Sequence, residues 1–355
     1  MIPYIVILCL SFLLSGLEYL RLRAKEKIWF FVGLVCILIL FASLKPPHVD
    51  LDYENYATAY GYMKYLPWSH LFSAYSTYNM EFGYIFLNKL FSSIGFSFSG
   101  FLFFYELALG IVSARLMYKY SPYPLTTLCL YVSLFYFIRD LTQIRFAFSA
   151  ILLLSGFFNL AEDKKWGGWI CLICAGLLHN SAWIGLLIPL SYHFFYNRWL
   201  YLIFPPLGYI ISLFHPIDLL LRFVGLPEQI TRYLADPTAA ASGFMIYPFA
   251  YMLMIFGVFH YPKMKELFGA KFEYLFISLA FGVFFGLMFL NFPIMQRISG
   301  ALITAVVFYI AFIIKMLYEK KWYGYRDLFA LSMLVVFLYY GFKLILIAHI
   351  LKPYF

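Results

Sequence analysis

The chain has 355 residues, of which 64% are hydrophobic, 23% aromatic and 12% charged. Because a soluble domain carries about 25% charged residues, this composition excludes a soluble enzyme, a disordered chain and a nucleic-acid-binding domain. The net charge of +9 is therefore interpreted as loop charge on the cytoplasmic side of a membrane. The sequence predicts an all-α polytopic integral membrane protein.

Apolar segments long enough to span a membrane recur along the whole chain. We expect one transmembrane domain over residues 1–355, with about twelve membrane-spanning helices. The predicted spans are 2–20, 28–44, 98–117, 122–138, 141–160, 167–179, 181–196, 199–214, 244–260, 273–292, 299–317 and 328–347. Between them lie two larger loops, at about 45–97 and 215–243.

Lysine and arginine predict the orientation of these spans. Basic residues crowd the first connection, from Arg21 to Lys27, and alternate threading places most of the others, including Lys164 and Lys320, on the same side. The positive-inside rule assigns that side to the cytoplasm. We therefore expect the segments around Tyr56 and Arg232, and with them both larger loops, to face the periplasm or exterior.

Arginine does not follow this topology rule as closely as lysine does. Several arginines fall near predicted helix ends on the outer side, namely Arg139, Arg145, Arg222, Arg232 and Arg297. Arginine binds phosphate in a bidentate fork and stays charged in any environment. The pattern indicates an anionic ligand on the outer side, although each side chain could instead reach the lipid head groups.

The first larger loop combines acids, amides and aromatic rings. Asp52, Asn55 and Tyr56 would share one face of a helix, with Tyr60 one turn further on and Glu81 later in the loop. Aromatic rings stack on the faces of sugars while acids and amides bind the sugar hydroxyls. The alternative is an interfacial helix with an ordinary aromatic belt.

Two further polar motifs lie at the predicted outer ends of spans. The first runs from Arg139 through Asp140 and Gln143 to Arg145, and Arg139 and Gln143 are expected to share a helical face. A structural salt-bridge network is the alternative. The second is His179, which ends an apolar run and whose side-chain type is suited to accept a proton near neutral pH; a structural hydrogen bond is the alternative.

Taken in chain order, these motifs resemble the EpsG-type branch of the Wzy polysaccharide polymerases over roughly residues 45–300. The motifs are Asp52-Tyr-Glu-Asn55-Tyr56 with Tyr60, Glu81-Phe-Gly83-Tyr84, Arg139-x3-Gln143-x-Arg145-x-Ala147, His179-Asn-Ser181 and Gln296-Arg297-Ile298. Members of that family often carry Gly-x-Asp where this chain has Val49-Asp50-Leu51-Asp52, which leaves Asp50 and Asp52 as alternatives for the motif position.

The resemblance implies an enzyme of the bacterial cytoplasmic membrane whose active site faces the periplasm or exterior. It would join undecaprenyl-diphosphate-linked oligosaccharide repeat units, transferring the donor glycan to an acceptor hydroxyl with release of undecaprenyl diphosphate. The candidate bases are His179, Asp52 and Glu81. The candidate diphosphate ligands are Arg139, Arg145, Arg232 and Arg297, and the candidate glycan contacts are Asn55, Tyr56, Tyr60 and Gln143.

No metal or other cofactor is expected, because the sequence has no histidine cluster or glycine-rich phosphate loop. The expected partners are the lipid-linked oligosaccharide, membrane lipid, and flippase and chain-length regulator proteins, with no nucleic acid. The polymer could be O-antigen, capsule or exopolysaccharide. Two alternatives remain: a flippase or transporter for lipid-linked saccharides, and an O-antigen-ligase-like glycan transferase that uses the same kind of donor.

Overall fold

The apolar runs of the chain form helices in the computed structural model. The structure describes residues 1–20, 22–49, 52–72, 80–194, 197–214, 246–290, 292, 295–346, 351 and 354. All regular secondary structure in these ranges is helical. The second predicted loop, 215–243, lies outside the described residues, and so does Arg232.

Sixteen α-helical segments follow one another within the described ranges. They are α1 (Ile2–Gly16), α2 (Ala24–Ser43), α3 (Tyr53–Tyr65), α4 (Phe82–Ser93), α5 (Phe98–Tyr120), α6 (Pro124–Arg139), α7 (Ile144–Ala161), α8 (Lys165–Leu178), α9 (Leu187–Phe194), α10 (Leu200–Leu213), α11 (Ile246–Phe259), α12 (Tyr261–Phe268), α13 (Ala270–Met288), α14 (Gln296–Ile303), α15 (Val306–Glu319) and α16 (Tyr323–Leu346). Short 3₁₀ helices occupy Leu17–Tyr19, Pro47–Val49, Trp68–His70 and Asn180–Leu186.

Seven segments in the described part of the chain are long and apolar enough to cross a membrane, so the chain is a multi-pass membrane protein. These segments are Ile2–Tyr19, Ala24–Ser43, Phe98–Tyr120, Ile144–Ala161, Ala270–Met288, Gln296–Glu319 and Tyr323–Leu346. The sequence predicted about twelve spans, and the other predicted segments form shorter apolar helices or turns. Residues 181–196 differ most, because a 3₁₀ stretch takes up Asn180–Leu186 and α9 begins only at Leu187.

The chain divides into two compact units. The first contains Met1–Ser155, Ile173–Asn180 and Ile314–Phe355, and the second contains Gly156–Leu172 and Ser181–Ile313. The expectation of one transmembrane domain stays a prediction.

Much of the first predicted loop is ordered helix within the first unit. Helices α3 and α4 pack with α5 around a buried aromatic cluster that includes Tyr56, Tyr60, Tyr84, Phe101 and Tyr105. Helix α3 begins at Tyr53 and Asp52 precedes it as the N-cap residue. The described parts of this loop therefore include packed helices, as the spacing of Asp52, Asn55 and Tyr56 indicated for its first part.

Helix α6 contains a π-helical turn near its end and is followed by a non-helical turn. A π-helical turn covers Val132–Tyr136, and a non-helical turn separates Arg139 from the start of α7 at Ile144. The prediction that Arg139 and Gln143 share a helical face is wrong for this reason. The backbone N–H of Gln143 donates to the Ile138 carbonyl at 3.2 Å, an i to i+5 bond. The Thr142 hydroxyl also donates to that carbonyl, so a side chain competes with the regular helical ladder.

Candidate active site

An ion pair joins two motifs that lie 64 residues apart in sequence. Glu81 is the N-cap residue of α4, and Arg145 is the second residue of α7. The Arg145 guanidinium donates through Nη1 to Glu81 Oε2, with 17% and 9% of the two side chains exposed. Charge-assisted bonds of this kind are strong when water is largely excluded. The pair therefore holds the guanidinium in a fixed place.

A third motif completes the same arrangement. The backbone N–H of Asn180 donates to Glu81 Oε1 at 3.1 Å, just beyond the end of α8. Both oxygens of Glu81 are thus engaged, one by Arg145 and the other by the motif that contains His179. The structure brings together three of the motifs that the sequence analysis singled out, and Glu81 connects them.

Two tyrosines surround the Arg145 guanidinium. Its Cζ atom lies 5.5 Å from the ring centroid of Tyr56 and 5.6 Å from that of Tyr84, and both rings are buried. The rings stabilise the cation through their π faces. Within the described part of the chain, the Nε–H of Arg145 is buried without a hydrogen-bond acceptor, so the guanidinium keeps unused donor capacity.

Arg139 and His179 meet through one phenylalanine. The Arg139 Cζ atom lies 3.9 Å from the Phe135 ring centroid and 4.9 Å from that of Phe146. The His179 ring contacts Phe146 edge to face, with centroids 5.1 Å apart. Because Phe146 directly follows Arg145, and His179 directly precedes Asn180, both arginines and the histidine belong to one cluster in the first unit.

Asp140 adds a buried carboxyl group to this cluster. It accepts a hydrogen bond from the Tyr131 hydroxyl at 2.7 Å and lies near the charges of Arg139 and Lys45. Burial raises the pKa of Asp140 to about 7, although the Tyr131 hydrogen bond and the two cations act in the opposite direction. Asp140 is therefore close to the point at which it changes charge at neutral pH.

Lys45 is a member of the cluster that sequence reasoning missed. Its side chain is buried, and its ammonium group donates to the Leu141 carbonyl in the turn after Arg139. Lysine was interpreted only as a marker of topology, so its position at the end of the second predicted span was not used. The signal available in the sequence was a lysine at the predicted outer end of a span, against the positive-inside rule.

A glycine allows α4 to approach α8 closely enough for these contacts. A Cβ atom on Gly83 would lie 2.7 Å from the Leu177 carbonyl oxygen. We expect Gly83→Ala to lower the free energy of unfolding by about 1–3 kcal/mol, measured by thermal unfolding of the purified protein. The matched control is Gly61→Ala in α3, where nothing lies within 4 Å of the added atom and where unfolding should shift little or upward. Equal losses in both variants would contradict the close-approach explanation.

The other predicted site residues are placed differently. Tyr60 donates its hydroxyl to the Phe96 carbonyl at 2.8 Å and packs on Phe101, so it has a structural partner. Asn55 is exposed, Asp52 and Gln143 are half-buried at the starts of α3 and α7, and Arg297 is exposed at the start of α14 in the second unit. Among the described residues, no three His, Cys, Asp or Glu side chains meet as a metal site would require.

Comparison with known protein families shows to which family the chain belongs. A sequence model of the EpsG family matches residues 5–355. The chain belongs to the EpsG family. The resemblance drawn from the ordered motifs is confirmed, and EpsG membership together with the apolar helices indicates a membrane protein of polysaccharide biosynthesis, a glycosyltransferase-like polymerase. No curated protein and no solved structure matches this EpsG chain.

Proposed function

We propose that this EpsG family member polymerises undecaprenyl-diphosphate-linked oligosaccharide repeat units on the outer face of the bacterial cytoplasmic membrane. The growing glycan on its lipid diphosphate is the donor, and the next lipid-linked unit is the acceptor. The observation that carries the proposal is the convergence of Arg145, Glu81 and Asn180 beside Arg139 and His179. Two fixed guanidinium groups near a histidine suit a reaction in which a diphosphate leaves as a hydroxyl attacks.

The reaction needs two contributions from the protein: stabilisation of the leaving group and removal of a proton from the acceptor. The acceptor oxygen forms a bond to the anomeric carbon as the bond from that carbon to the diphosphate oxygen breaks, and the electron pair leaves with the diphosphate. Arg139 and Arg145 stabilise the charge that grows on the diphosphate. A base removes the acceptor hydroxyl proton, and we assign that role to His179. The leaving group is already ionised at neutral pH, so it has less need of a general acid, and the two arginines take the place of a metal in stabilising its charge.

Glu81 takes a different role from the one that its sequence position predicted. Both carboxylate oxygens of Glu81 already accept hydrogen bonds, one from Arg145 and one from the Asn180 backbone, so neither is available to take the acceptor proton. We therefore propose that Glu81 positions Arg145 and the backbone at Asn180. Asp52 stays a candidate base, and Tyr56 stays a candidate glycan contact because its ring lies beside Arg145. Arg232 and Arg297 stay candidate diphosphate ligands.

The lipid-linked glycans of a strain that lacks this protein test the proposal. A polymerase predicts single repeat units that accumulate on the carrier lipid. Full-length polymer that remains unattached to its final anchor would instead indicate an O-antigen-ligase-like transferase. Single units that stay on the inner leaflet would indicate a flippase; we favour the polymerase because the polar motifs cluster on the predicted outer side.

The outer location of the site is a separate prediction. In a variant without native cysteines, Tyr65→Cys in α3 should react with an impermeant thiol reagent in intact cells, whereas Lys164→Cys should not. Both positions are accessible, with 81% of Tyr65 and 56% of the Lys164 side chain exposed, so burial does not explain a difference. Labelling of Lys164→Cys from outside would contradict the predicted orientation and the arrangement of about twelve spans on which that orientation is based.

A further inference from the structure

A second charged site lies in the second unit, and none of the candidate active-site residues belongs to it. A cavity of about 60 Å³ is enclosed by residues from the region between α9 and α13. Its polar lining consists of three tyrosines, two cations and one carboxylate, which are Tyr192, Tyr201, Tyr261, Arg198, Lys265 and Glu273, and its apolar lining is Phe276 and Ile277. The basic residues of this region fall on the expected cytoplasmic side.

The carboxylate of this cavity already has several donors. Glu273 accepts from Lys265 Nζ at 2.8 Å, from the Tyr261 hydroxyl, and from the Tyr192 hydroxyl at 3.4 Å. Its charge is matched by Lys265, with 14% of the Glu273 side chain exposed. Glu273 is thus fully engaged, and it forms no ion pair with Arg198.

Arg198 has a charge that nothing in the described part of the chain neutralises. Its guanidinium Cζ lies 4.7 Å from the Tyr261 ring centroid and 5.8 Å from that of Trp199. Its Nε–H is buried without an acceptor among the described residues. An unsatisfied buried donor on a cation is costly, and a planar guanidinium stacked on an aromatic ring presents its fork to an anion. Arg198 and Lys265 against Glu273 leave the cavity with one net positive charge.

Exposed aromatic side chains beside the cavity indicate where this anion comes from. Trp199 and Phe259 contact each other edge to face, with centroids 6.1 Å apart, and Phe194 ends the adjacent helix α9. Their exposed fractions are 48%, 69% and 75%. Aromatic residues of this kind occupy the membrane–water interface, where basic pockets between helices bind lipid head groups.

We propose that this cavity binds the phosphodiester of an anionic membrane lipid. One net positive charge matches the single charge of a phosphodiester. The Arg198 guanidinium binds the phosphate oxygens, and the acyl chains lie along Trp199 and Phe259. The site goes beyond the proposed polymerase reaction, since it holds a lipid that is neither donor nor acceptor.

Binding of phosphatidylglycerol to the purified full-length protein in neutral detergent tests the proposal. Native mass spectrometry should show one saturable lipid, and Arg198→Gln should weaken its binding by about tenfold or more, because it removes a charged hydrogen-bonding group. Arg115→Gln is the matched control: Arg115 is an exposed arginine on α5, and its loss should leave the affinity unchanged. If the Arg198→Gln protein cannot be produced in folded form, the Arg198→Lys protein serves instead. It should bind phosphatidylglycerol measurably more weakly than the wild type, because lysine lacks the planar guanidinium fork.

Three outcomes would overturn the proposal. Equal phosphatidylglycerol affinity in the wild type and both Arg198 variants would show that Arg198 does not bind the lipid phosphate. Equal binding of phosphatidylcholine, whose phosphate is neutralised within the head group, would exclude recognition of a net anionic lipid. Displacement of the lipid by inorganic phosphate at the same concentration would identify free phosphate as the ligand. A failure of any kind leaves the polymerase assignment untouched, because that assignment is tested by the accumulated glycans.

Discussion

Arg145→Lys is expected to reduce polymer synthesis by about 10- to 100-fold, although the charge is retained. A charged hydrogen bond contributes about 1.5–3 kcal/mol, and each 1.4 kcal/mol removed from transition-state stabilisation costs about tenfold in rate. A lysine ammonium has no planar fork with which to bind Glu81 and a diphosphate oxygen together, and it does not place a guanidinium beside the Tyr56 and Tyr84 rings. Polymer yield in a complemented deletion strain, at matched protein level, measures the effect.

Arg115→Lys in α5 is the control for this experiment, because Arg115 is exposed in the same unit. Arg139→Lys should behave like Arg145→Lys, since Arg139 is stacked on Phe135. Glu81→Gln should lower the rate without altering its pH dependence, as expected for a residue that positions Arg145. Wild-type polymer yield from Arg145→Ala would remove this residue from the site.

His179→Ala is expected to lower the rate of glycan transfer by about 10²–10⁴-fold, the usual contribution of general acid–base catalysis. The transfer rate of the wild-type protein should rise with pH as His179 loses its proton, because only the neutral imidazole accepts one. This contribution should be absent from the variant, and a pH dependence that remains there belongs to Asp140, whose pKa burial raises to about 7. Donor binding should survive, since the diphosphate is held by arginines. Single-turnover assays on purified protein with lipid-linked repeats separate the two quantities.

A second substitution tests the base role against a structural one. His179→Gln keeps a hydrogen-bonding side chain but cannot take up the proton, so it should be nearly as inactive as His179→Ala. Transfer at near wild-type rate by His179→Gln would eliminate the base role. The general base would then be assigned to Asp52, because Glu81 is already bonded to Arg145 and to the Asn180 backbone.

Composition and motif order were sufficient to predict the class of the protein, while the pairing inside the site was not accessible from the sequence. The scarcity of charge leaves only a membrane protein, and the ordered motifs carry the family resemblance. The Glu81–Arg145 pair joins residues 64 positions apart, and helical periodicity relates only residues three or four apart. One sequence thus marked both residues as functional without indicating that they bind each other.

Local periodicity also fails where two residues share a face but meet different neighbours. Tyr56 and Tyr60 are one turn apart on α3 and were assigned the same role. The ring of Tyr56 lies beside Arg145, while the hydroxyl of Tyr60 is bonded to the Phe96 carbonyl. Which residue meets the site depends on how far α3 extends across its neighbours, and that is a property of packing. The predicted spans 122–138 and 141–160 placed a break at Arg139 and Asp140, but the extension of this turn to Gln143 was not predicted, because no proline or glycine marks it.

The π-helical turn at Val132–Tyr136 allows a change in chain length next to the site that a regular helix would not allow. A π turn holds one residue more than the α-helical turn that it replaces. In a regular α-helix, deletion of a single residue rotates the residues that follow by about 100° around the axis. Deletion of one residue inside Val132–Tyr136 would instead convert the π turn to an α turn and leave Arg139 and Asp140 in phase with Tyr131, whose hydroxyl donates to Asp140. The surplus residue of the π turn is therefore a place beside the site where the chain can shorten without moving its charges.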